Sequence, residues 1–131
     1  MTEIETHKVP EFKSIAPQMV VPDVVNAAEH NRDTLGFEIL GYFLDPPVFA
    51  MVKRDGVIIQ FGRGDSGGAR PNCEIRRDGL DAYIWVDDID GLFVELTGRG
   101  AHILEGPVAR SYGWMEIIVE DCFGHRLAFG A

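Results

Sequence analysis

Few side chains in this sequence could make or break a bond, and their spacing argues against most of the reactions they could support. Cys73 and Cys122 lack the spacing of metal ligands. Cys122 lies in a turn-forming Asp-Cys-Phe-Gly stretch with no positional cue that would activate its thiol. No two of His30, His102 and His125 fall four residues apart, as a helical ligand pair would. Gly62-Arg63-Gly64 leads into more loop, so it does not form a phosphate cradle opening a helix. The chain does offer flat aromatic area. Phe49, Phe61, Tyr83, Trp85 and Trp114 lie in or beside strand-like runs, where rings can stack on a ligand or attract a cation through the ring face. Each would otherwise serve as core packing. Glu116, two residues after Trp114, is an acidic candidate in the same stretch, or else a solvent-facing strand position.

A degenerate internal repeat must position these side chains. Met19-Val20-Val21-Pro22-Asp23 opens one half and Ile84-Trp85-Val86-Asp87-Asp88 the other, each a β-prone run that stops at an Asp suited to cap a helix. The helix after Asp23 is expected over Val24 to about Leu35, with Val24, Ala27, Ala28 and Leu35 inward and Gly36 as its stop. In the second helix Ile89, Leu92, Phe93 and Leu96 fall at i, i+3, i+4 and i+7, and Gly98 and Gly100 end it. Each half continues through one strand into a hairpin, with turns at Arg54-Asp55-Gly56 and at Asp121-Cys122-Phe123-Gly124. The Gly of each turn is expected to take positive φ. The reading is a single domain, 1–131, of two βαβββ modules, 15–61 and 80–130, joined by a Gly-, Arg- and Asp-rich loop over 62–79.

Composition narrows the partners. With 131 residues, 46% hydrophobic and 25% charged, the chain can build one globular core. No apolar run approaches the roughly 18 residues of a membrane span, and the polar start MTEIETHKVPEF reads as a short arm rather than a signal peptide. A cytoplasmic protein is expected. The net charge of −9 argues against nucleic acid and favours a cationic ligand.

In their order and spacing, Leu35-Gly36-Phe37-Glu38, Trp85-Val86-Asp87-Asp88-Ile89-Asp90, Tyr112-Gly113-Trp114 and Asp121-Cys122-Phe123-Gly124-His125-Arg126-Leu127 resemble the vicinal oxygen chelate superfamily. That group includes glyoxalase I, extradiol dioxygenases and the bleomycin resistance proteins. The resemblance implies an α+β fold whose paired modules form a concave mixed sheet with a ligand cavity. In metal-dependent members four ligands sit on four strands, and carried over they fall on Ala16, Gln60, Asp81 and Ala128. Alanine cannot coordinate a metal, so no metal or other cofactor is expected. Gln60 and Asp81 would instead line the cavity. The non-metal, bleomycin-resistance-like branch is the nearest description, which implies a homodimer that sequesters an aromatic or cationic compound such as an antibiotic. The alternative is a metal-dependent lyase, isomerase or dioxygenase with a shifted ligand set.

Overall fold

The computed structural model of the chain describes residues 9–66 and 68–131. Strand β1 (Gln18–Val21) leads into helix α1 (Val24–Leu35), followed by β2 (Glu38–Phe43), β3 (Phe49–Arg54) and β4 (Val57–Arg63). After the connection come β5 (Ala82–Trp85), α2 (Ile89–Arg99), β6 (His102–Ala109), β7 (Met115–Glu120) and β8 (Arg126–Gly130). These make two four-stranded sheets, β1-β4-β3-β2 and β5-β8-β7-β6, with the same plan: one parallel pair, β1/β4 or β5/β8, and the rest antiparallel. This is the expected βαβββ order, twice.

The two helices form for the same local reasons. Asp23 Oδ1 accepts from Asn26 N at 3.0 Å and Asp88 Oδ1 from Gly91 N at 2.9 Å, satisfying backbone donors that the first turn leaves free. Each helix ends on a left-handed glycine, Gly36 at φ 72° and Gly100 at φ 81°. Gly98, expected to help stop α2, lies inside it. The hairpins differ from expectation at one turn. Gly124 takes positive φ, 86°, but in the β3–β4 turn it is Asp55, at φ 51°, that carries the left-handed conformation. Aspartate tolerates that region because its short polar side chain bonds locally.

Each sheet turns one face to the helices. Met19, Val21, Ala50, Val52, Ile59 and Phe61 from the first, and Ile84, Ile117, Val119, Leu127 and Phe129 from the second, join one apolar cluster with Val24, Ala27, Leu35, Ile89 and Leu96. Arg54 crosses between the modules, with Nη1 and Nη2 donating to the two Glu95 oxygens at 2.8 and 2.7 Å and Nη1 also reaching Leu35 O at 2.9 Å. The connection is more than loop: β4 runs through Arg63, and a one-turn 3-10 helix spans Asn72–Glu74. The opposite faces of both sheets have no element packed on them among the described residues. No helix there is long and apolar enough to cross a membrane.

Candidate ligand-binding face

Strand alternation decides which side chains reach the uncovered faces. In the second sheet, register aligns Tyr83, Ala128 and Ile118 in one row and Trp85, Gly130 and Glu116 in the next. Ala128 and Gly130 leave β8 almost bare. A Cβ on Gly130 would collide with the Tyr83 ring and hydroxyl, so the glycine lets Tyr83 lean across β8 to β7. There its hydroxyl donates to Glu116 Oε2 at 2.5 Å.

Two further groups converge on Glu116 from the β6–β7 turn. Arg110 N donates to Trp114 O at 2.8 Å and Gly113 N to Arg110 O at 3.0 Å, a tight reversal with Gly113 at φ 99°. The turn brings Tyr112 and Arg110 over the strand. Tyr112 Oη donates to Glu116 Oε2 at 2.8 Å and Arg110 Nε to Oε1 at 2.7 Å, and Arg110 also pairs with Glu105. Glu116 is only 2% exposed. Burial pushes its pKa up, but hydrogen bonds from Tyr83, Arg110 and Tyr112 outweigh this and hold it below the ordinary glutamate value. Burial and the bond to Glu116 push Tyr83 upward, so it stays a phenol. Beside this cluster Tyr83 and Trp85 stand 4.7 Å apart between centroids, and Trp85 meets Trp114 edge-on at 4.7 Å and 71°. Both tryptophans remain largely open to solvent, Trp85 at 58% and Trp114 at 44%.

Of the residues singled out from sequence, Tyr83, Trp85, Trp114 and Glu116 come together here. Gln60 and Phe49 lie on the uncovered face of the other sheet. Gln60 Oε1 accepts from Gln18 Nε2 at 3.2 Å, and Phe49 lines a shallow apolar depression of about 480 Å³ with Leu40, Phe43 and Met51. Phe61 requires correction. Its parity on β4 points it at the helices, and it is fully buried core. Asp81 precedes β5 and spends its carboxylate on backbone amides, accepting from Asn72 N at 3.0 Å and Arg126 N at 2.9 Å, which ties the connection to β8. Arg110 and Tyr112 were not singled out for the site, although Tyr112 stood in the quoted Tyr112-Gly113-Trp114.

The residues do not fit a divalent metal of the kind the resemblance implies. Register pairs Gln18 with Gln60 and Tyr83 with Ala128, while Ala16 lies ahead of β1. Among the described residues no three His, Cys, Asp or Glu side chains converge as ligands. Nucleophilic chemistry fares no better at Cys122, whose thiol is pushed up to about 11 by partial burial and by Asp121.

Solved structures share this architecture. TioX from Micromonospora sp. ML1 superposes with a TM-score of 0.73 at 20% identity, over 91% of this chain and 98% of that one. A bleomycin-binding protein from bleomycin-producing Streptomyces verticillus, solved with copper(II)-bleomycin, gives 0.67 at 22% identity over 92% and 97%. The chain has the vicinal oxygen chelate fold. A lactoylglutathione lyase from Agrobacterium tumefaciens shares that fold too, at 0.68 and 17% identity over 93% and 95%, so the vicinal oxygen chelate fold by itself spans binding proteins and enzymes. No protein-family model and no curated protein sequence matches the chain.

Proposed function

We propose that the protein sequesters a small, flat, aromatic or cationic molecule on the uncovered face of the second sheet, without a metal and without chemistry. The supporting observation is the open Trp85–Trp114 pair beside Tyr83, set over a carboxylate cluster. Flat rings offer stacking area at little entropic cost, and their faces attract cations. Glu105 and Glu116 carry one negative charge more than Arg110 neutralises, which favours a cation at the same place. The shared fold with a bleomycin-binding protein points to the same ligand class.

A homodimer belongs to this reading. Each sheet leaves an apolar or aromatic face bare, and a second copy would set the Phe43–Phe49–Met51 face of one chain against the tryptophan face of the other, closing a cavity that one chain leaves open. Two unpaired thiols fit a reducing, cytoplasmic setting. The fold shared with a lyase keeps a metal-dependent enzyme as the competing reading.

Calorimetric titration with bleomycin and with the planar cation proflavine tests the proposal. Micromolar binding, unchanged by EDTA and weakened at least tenfold in Trp114→Ala, is expected. Absence of binding to both compounds overturns the proposed ligand class. One equivalent of tightly held metal in dialysed protein overturns the metal-free reading.

A further inference from the structure

Three donors hold the Glu116 carboxylate, and the fold does not fix them equally. Tyr83 comes from β5 and lies in the gap that Gly130 leaves, where a Cβ would strike its ring. The Arg110 side chain is 25% exposed and is tied a second time by Glu105. Tyr112 is different. It is 60% exposed, sits in the turn between β6 and β7 outside both strands, and reaches Glu116 Oε2 by its hydroxyl at 2.8 Å. Gly113 beside it has room for an added Cβ, which would meet no atom within 4 Å. Rotating the Tyr112 side chain outward therefore uncovers Oε2 without breaking a backbone hydrogen bond, and it does so next to the open rings of Trp85 and Trp114. A carboxylate only 2% exposed must be given a donor in return, because an acceptor buried unpaired costs its full desolvation. A cationic N–H is a better donor to it than a neutral phenol, since both partners of the bond are then charged. A cation with every nitrogen alkylated has nothing to donate and leaves Tyr112 in place.

We propose that Tyr112 holds the ligand's place at Glu116, and that the ligand is a planar cation bearing N–H groups, one of which takes Oε2 from the Tyr112 hydroxyl while the ring lies against Trp85 and Trp114. The inference rests on the binding reading of this face and adds what the face selects. Tyr112 is its specificity-setting residue, exchanged out by compounds that can donate and kept in by those that cannot.

Calorimetric titration of the full chain and of Tyr112→Phe with two flat cations tests the exchange. Proflavine carries N–H donors, and its fully N-methylated acridinium analogue has the same ring system and charge but none. Phenylalanine keeps the ring and its bulk and removes the competing hydroxyl. Proflavine is therefore expected to bind Tyr112→Phe at least fivefold more tightly than wild type, and the methylated cation equally within about twofold. NMR of wild-type protein isotopically labelled at the tyrosine ζ-carbon supplies a direct readout. The resonance missing from Tyr112→Phe is expected to move toward that of free tyrosine on adding proflavine, and not on adding the methylated cation. Proflavine binding unchanged in Tyr112→Phe overturns the exchange and leaves the binding face standing. Equal tightening for both cations overturns the selection for N–H donors. Weaker binding of both makes the hydroxyl a direct contact of the ligand and overturns the exchange. No binding of either cation to either protein overturns the binding reading itself, and the exchange with it.

Discussion

The two modules agree wherever the fold needs them to and differ where it does not. Their helices use the same aspartate cap and the same left-handed glycine stop, and their inner faces feed one core. Their outer faces have little in common. The first presents Phe43, Phe49 and Met51 around an amide pair, Gln18 and Gln60, with no ion pair among those residues. The second presents a carboxylate held by two phenols and a guanidinium, flanked by two tryptophans set edge to face. Backbone plan and inner packing are thus the shared inheritance of the repeat, and the outer faces are where each half acquires its own chemistry.

That contrast can be broken most sharply at Glu116. Glu116→Ala removes the shared acceptor of Tyr83, Tyr112 and Arg110, leaving Arg110 only Glu105, and is expected to cost about 2 kcal/mol in denaturant unfolding. The position on the other face, Gln60→Ala, is expected to cost no more than about 0.5 kcal/mol. Equal losses would show that the second face owes its structure to something besides the carboxylate. The same residue predicts a pH signature. A carboxylate held below its ordinary pKa contributes stability above that ordinary range, and the contribution is lost as pH falls through the depressed value. Wild-type protein should therefore destabilise more steeply in acid than Glu116→Gln, measured by denaturant midpoints from pH 7 downward. The caps should show the smallest difference: Asp23→Ala and Asp88→Ala are each expected to cost about 1 kcal/mol, equal within error. A marked inequality would mean the modules differ in their scaffolds as well as their surfaces.

Local signals carried most of the fold. Asp23 with Gly36, and Asp88 with Gly100, bracket the helices because caps act over single turns, and α1 spans Val24–Leu35 as the pattern predicted. Strand ends were less legible. β6 extends over His102–Ala109 because its length is set by pairing with β7 and by register shifts on either side of Glu105. The site was half legible. Aromatic residues on strands are visible as types, but Phe61 differs from its neighbour Gln60 only in which side of β4 it occupies. Arg110 escaped notice because it reaches Glu116 across a turn whose hydrogen bonding no spacing rule encodes. Asp81 looked like a cavity residue by type, and only the fold showed that two backbone amides already hold it.

Both tryptophans of the chain stand edge to face in that one cluster. All of the protein's indole emission therefore originates on the outer surface of the second module, and none of it from the shared core. A change in that emission during unfolding or ligand titration reports on this surface alone, and the core would have to be followed by another probe. Coupling between two rings this close should also leave a signature in the ultraviolet dichroism that vanishes when either ring is replaced, a built-in optical label for the native geometry of the face.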